Sequence, residues 1–105
     1  MDANQISDSA FQIVSFAGDA RSRAMEAVSV AKDGNIDMAK SLIDEARELL
    51  VEAHHHQTDL ISAEANGEDI QFSVLLIHGQ DHLMTALTVV DLAEELVDVH
   101  ARYGK

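Results

Sequence analysis

His78 and His82 stand four residues apart, with Asp81 between them, in the run Leu75-Leu76-Ile77-His78-Gly79-Gln80-Asp81-His82-Leu83-Met84-Thr85. On a helix that spacing puts both imidazoles on one face, with the carboxylate close to the same side. Two chemistries follow. Histidines at i and i+4 can chelate zinc, but the glutamate of the HExxH motif is missing here. A neutral imidazole also offers an unprotonated ring nitrogen as a nucleophile, with the other nitrogen oriented by a hydrogen bond, and an electrophilic phosphorus suits it.

The apolar flanks make either task demanding, because a polar group buried without a partner costs about 1–3 kcal/mol and an unpaired charge costs more. Val74, Ile77, Asp81, Met84 and Thr88 follow the 3-4-3-4 spacing of a coiled-coil seam, which places a carboxylate at a core position. Copies of Asp81 around a symmetry axis can converge on a hard cation such as Mg²⁺ or Ca²⁺; alternatively, Asp81 is half-exposed or bonds a neighbouring helix. Gly79 costs about 1 kcal/mol against alanine in a helix interior, and it removes the side chain beside His78. Either a partner approaches closely there or two helices cross tightly. Gln80 lies about 200° around the helix from His78, so it faces away from that histidine on its own chain and is available to a neighbour's site.

A second polar cluster, His54-His55-His56-Gln57-Thr58, behaves differently. Three consecutive histidines occupy different helix faces and cannot converge as a set, so at least one is solvated. Gln57 continues the spacing of Ile43, Ala46, Leu50 and Ala53, which puts an amide on the inner side where a hydrogen-bond partner is expected. A satisfied core pair and a catalytic role both fit that position.

The elements that must position these residues are helices. Alanine, leucine, glutamate and methionine dominate, and apolar residues recur at spacings of three and four rather than two. There is no proline, and two of the five glycines mark the breaks, Lys32-Asp33-Gly34-Asn35 and Asn66-Gly67-Glu68-Asp69. The pattern predicts helices over about 7–32, 36–65 and 70–102, each about 45 Å long. Short connections make neighbours antiparallel, giving an all-α, up-down-up three-helix bundle. The third helix carries a second apolar seam, Leu76, Leu83, Leu87 and Val90, beside the one that contains Asp81. A helix apolar on two sides needs two sets of neighbours, which predicts a homo-oligomer. Met25, Met38 and Met84 read as packing residues.

At 105 residues and 47% hydrophobic composition the chain suits one domain over 1–105. The absence of cysteine excludes disulfides, thiolate metal sites and cysteine nucleophiles, and fits a cytoplasmic protein. A formal charge of −12 opposes binding to nucleic acid and to anionic membranes. No apolar run approaches the roughly 20 residues of a membrane span, and the polar, acidic N-terminus is not a signal peptide. Neither a P-loop nor a GxSxG elbow is present.

The block at 75–85, the AHxxQT pattern of Ala53, His54, Gln57 and Thr58 followed by Asp59-Leu60-Ile61, and Phe16-Ala17-Gly18-Asp19-Ala20-Arg21-Ser22 together resemble the lactose/cellobiose-type enzyme IIA of the bacterial phosphoenolpyruvate-dependent sugar phosphotransferase system. The similarity spans about residues 7–100. Gly79 stands where alanine is common. The resemblance implies three-helix protomers in a homotrimer, with His78 phosphorylated by the carrier HPr and discharged to a cysteine of the cognate IIB component. It further implies that Asp81 meets its symmetry mates at one buried Mg²⁺ per trimer. Gln80 and His82 are expected to support the phosphoryl group. A non-catalytic, metal-binding helical oligomerisation scaffold and a histidine relay outside sugar uptake are the competing readings.

Overall fold

The computed structural model describes residues 1–104 and contains three 30-residue helices, α1 (Ala3–Lys32), α2 (Ile36–Ala65) and α3 (Val74–Tyr103). They form the expected all-α, up-down-up bundle, 55 Å along its longest dimension. α1 packs extensively against both other helices, which touch each other more lightly.

Local chemistry explains each boundary. Asp2 caps α1 by accepting from the Gln5 backbone N–H at 2.8 Å, while the Gln5 side chain accepts from the Asp2 backbone N–H at 2.8 Å. This capping box starts the helix at Ala3 rather than near residue 7. Both interhelical turns use a left-handed glycine, Gly34 (φ 89°) and Gly67 (φ 92°). In each, the glycine N–H and the next N–H bond back to the last turn of the preceding helix: Gly34 to Ala31 and Asn35 to Val30, Gly67 to Glu64 and Glu68 to Ala63. α3 begins at Val74 rather than 70 because Ile70 is buried under the bundle and Ser73 is the cap, its hydroxyl accepting from the Leu76 N–H at 3.0 Å.

The core follows a repeat of three and four along α1: Ala10, Ile13, Ala17, Ala20, Ala24, Ala27 and Ala31 are all buried. Alanine there lets the neighbouring backbones approach closely, and Ile43, Leu50, Leu83 and Val90 fill the space from the other helices. At the surface, Arg47 bridges α2 to Asp91 (3.1 Å) and Glu94 (3.0 Å) of α3. The hydrogen bond that Arg47 donates to Glu94 leads in holding the Arg47 pKa above its ordinary value, desolvation opposes it, and Asp91 adds to it.

The two apolar seams of α3 have different fates. Leu76, Leu83 and Val90 are buried and Leu87 is partly buried within the chain, whereas Val74 (86% exposed), Ile77 (60%) and Met84 (56%) point outward together with Asp81 and Thr88. Leu92, Leu96 and Val99 continue that outward stripe. Met25 and Met38 are also at least half exposed rather than packed, because they lie outside the alanine seam and its α2 counterpart.

The turn geometry predicts the effect of Gly67→Ala. A Cβ meets nothing within 4 Å at this position, so the positive φ alone supplies the penalty. Thermal unfolding should show a loss of about 1 kcal/mol, or roughly 4–8 °C for a domain of this size. An unchanged midpoint would contradict the turn described here.

Candidate active site

The rotation of α3 about its own axis determines where each polar side chain points. Gly79 faces α1, and a Cβ placed on it would lie 3.2 Å from the backbone oxygen of Ala10 and 3.6 Å from Ile13. The glycine therefore serves a tight helix crossing, and His78 emerges one step around the helix on the flank nearer α1.

His78 is exposed and makes no hydrogen bond within the described residues, while His82 is partly buried. Their ring centroids are 4.7 Å apart with planes tilted by 47°. The His82 ring lies over Gly18 of α1: a methyl group at that glycine would stand 3.6 Å from Nε2. That is ordinary van der Waals distance, so the ring rests against α1 there without crowding it. Gly18 thus seats His82, and His82 in turn backs His78, so the two imidazoles come together as the spacing predicts.

Gln80 sits on the opposite flank, towards α2. Its side-chain oxygen accepts a 2.7 Å hydrogen bond from the Gln57 amide nitrogen. That bond satisfies the inward-facing Gln57 and joins the two polar clusters of the sequence. Asp81 is exposed in the middle of the outward stripe, and no group of three or more potential ligands that could hold a metal forms among the described residues. A metal centre at Asp81 therefore requires further copies of the chain. Of the other histidines, His54 and His55 are exposed, and His56 stacks on Phe16 with centroids 6.1 Å apart. They do not join His78.

Two contacts were not foreseen from the residues. The Gly18–His82 contact had a faint signal, a glycine interrupting an alanine-rich helix. The Gln57–Gln80 pairing had half of one, an amide at a core position without an identifiable partner.

Comparison with known proteins decides the family. The family model described as "PTS system, Lactose/Cellobiose specific IIA subunit" matches residues 8–101. This chain belongs to the lactose/cellobiose-specific IIA family. It is 45% identical over 102 residues to the lactose-specific EIIA component of Staphylococcus epidermidis, covering 97% of this chain and 98% of the relative. Among solved structures, the cellobiose-specific enzyme IIA of Bacillus anthracis superposes with a TM-score of 0.91 at 46% identity, covering 97% of this chain and 92% of that one. The IIA(chitobiose)–HPr complex of the Escherichia coli N,N'-diacetylchitobiose branch gives 0.82 at 34% identity, covering 95% and 97%. As a IIA component the chain is a phosphotransfer protein of a sugar phosphotransferase system. None of its helices is long and apolar enough to cross a membrane, among the described residues.

The crossing at Gly79 separates size from polarity as the determinant of this site. Gly79→Ala gains up to about 1 kcal/mol of helix propensity but crowds the Ala10 carbonyl, so unfolding stability should change by less than about 1 kcal/mol. Gly79→Val overfills the crossing and should lose more than about 2 kcal/mol. Equal stability of the two variants would show that α1 does not press on this position.

Proposed function

We propose that this IIA component is a phosphoryl carrier that accepts a phosphoryl group from phospho-HPr on His78 and passes it to a cysteine of its cognate IIB component during sugar uptake. The observation that carries this reading is an exposed imidazole, unengaged by hydrogen bonds within the described residues, in a chain whose fold is shared with a IIA component solved in complex with HPr. A ring-nitrogen lone pair of His78 attacks phosphorus as the P–N bond to the donor histidine breaks. The thiolate of IIB then attacks in line, forming P–S as the P–N bond to His78 breaks. Reactions of this kind depend on positioning and charge stabilisation more than on covalent help from the protein. His82, backed by Gly18, holds the reacting ring.

The outward stripe of α3 supports a homotrimer. Exposed Val74, Ile77, Met84, Leu92, Leu96 and Val99 form an apolar stripe, interrupted by Asp81 and Thr88, of the kind that marks an interface. When parallel α3 helices surround an axis on that stripe, the His78 flank of one copy meets the Gln80 flank of the next. Gln80 of a neighbour and His82 of the same chain then donate to the phosphoryl oxygens. Asp81 brings one carboxylate per chain to the axis. Oxygen donors suit a hard cation, so one Mg²⁺ per trimer fits the residues present, and its role there is to compensate the converging charge.

Partner identity separates this reading from a relay outside sugar uptake, and labelling separates it from an inert scaffold. Incubation with phosphoenolpyruvate, enzyme I and HPr should add one phosphoryl group to the intact chain, labile to acid, and none to His78→Gln; onward transfer to IIB completes the test. A wild-type chain that stays unlabelled, or a His78→Gln chain that labels equally, refutes it. Replacing Asp81 by Leu should abolish bound metal yet leave a trimer by sedimentation, because apolar residues can substitute for buried charges without loss of stability. Equal metal content in mutant and parent would remove Asp81 from the site.

A further inference from the structure

We infer that Gln57 is a positioning residue for phosphoryl transfer, setting which end of the Gln80 amide faces the phosphorylated histidine of a neighbouring copy. The inference rests on the phosphoryl-carrier and homotrimer readings and deepens them. Gln57 occupies an inward position of α2, between buried Ala53 and Leu60, so its side chain is anchored while Gln80 lies at the edge of the site. The Gln57 amide nitrogen donates to the Gln80 carbonyl oxygen at 2.7 Å, and no other side-chain hydrogen bond engages either amide among the described residues. A primary amide has one acceptor end and one donor end with two N–H groups. With its oxygen held by Gln57, Gln80 turns its NH₂ outward, and both N–H groups are available to an anion.

The surroundings reinforce that orientation. Leu60, Ile70, Phe72 and Leu76 line a groove that Gln80 and Glu64 also border. Apolar neighbours weaken the competition from water and strengthen the amide–amide bond. Without Gln57 the Gln80 amide is free to rotate, and half of its orientations aim a carbonyl oxygen at the negatively charged phosphoryl group. Gln57 thus acts through polarity rather than by contact with the reacting atoms.

A double-mutant cycle distinguishes this role from a merely structural one. Gln57→Leu, Gln57→Glu, Gln80→Ala and the two combinations with Gln80→Ala are phosphorylated by phospho-HPr, with initial rates measured alongside thermal midpoints. Loss of one orienting hydrogen bond predicts that Gln57→Leu slows transfer about three- to tenfold with a near-native midpoint. Gln57→Glu should slow it further, because a carboxylate only accepts and draws the Gln80 NH₂ inward. In the Gln80→Ala background, Gln57→Leu should have no additional effect. A native rate in Gln57→Leu, or the same fold-loss with and without Gln80, overturns the inference, as does a Gln80→Ala chain that transfers normally. In each of those cases labelling at His78 would still stand. An unlabelled wild type, or labelling that survives His78→Gln, removes the carrier reading and this inference together.

Discussion

The close approach of α1 and α3 is the constraint on which the rest of the site depends. Because Gly79 must face the Ala10 carbonyl, and Leu76, Leu83, Ala86 and Val90 must face the same core, α3 has a single workable rotation about its axis. At about 100° per residue, that rotation sends Asp81 outward and places His78 and Gln80 on opposite flanks of the outward stripe. A shift of one residue would bring His78 into the alanine-lined core and bury a polar ring without a partner. The packing energy of the core is therefore also what aims the reactive groups.

Charge limits how the phosphoryl group can be held. The chain carries −12, and a phosphoryl group adds about −1.5 to −2 more near neutral pH. Cationic side chains are few, and Arg23, Arg47 and Arg102 are already paired with carboxylates. The donors of the proposed site, the Gln80 amide and the His82 imidazole, are neutral. For the proposed carrier this is an advantage, since stabilising a phosphorylated ground state as strongly as the transition state would raise the barrier to release. Donors of moderate strength allow the group to arrive and leave on comparable terms.

Much of this arrangement was legible in the residues. The two glycine turns, the three helices, the bounds of α2 and the two seams of α3 follow from local rules of spacing and backbone conformation. Apolar periodicity does not reach the start of α1, although Asp2 and Gln5 have capping-box spacing, because the polar segment before Ile6 lacks a strong apolar repeat. It places the start of α3 four residues early because Ile70 looks like a first helical turn; the burial of Ile70 in the connection is a tertiary effect. His78, His82 and Asp81 could be placed around α3 from periodicity alone. The Gln57–Gln80 bond could not, because it depends on how far α2 is displaced along α3, and no pattern within one helix records that.

The outward stripe links assembly to chemistry through opposing desolvation terms. In a separate chain, Asp81 is exposed at no cost, while Val74, Ile77 and Met84 leave apolar surface in water. Bringing copies together on this stripe gains from the apolar residues and loses from the carboxylates, whose mutual repulsion rises as water leaves. A hard cation reverses the sign of the second contribution. In the homotrimer proposed above, the Gln80 flank of one copy meets the His78 flank of another, so a donor that cannot reach His78 within its own chain gains access to it. In the proposed assembly, the surface that drives oligomerisation and the surface that completes the reactive site are two sides of one helix, and neither can be altered without moving the other.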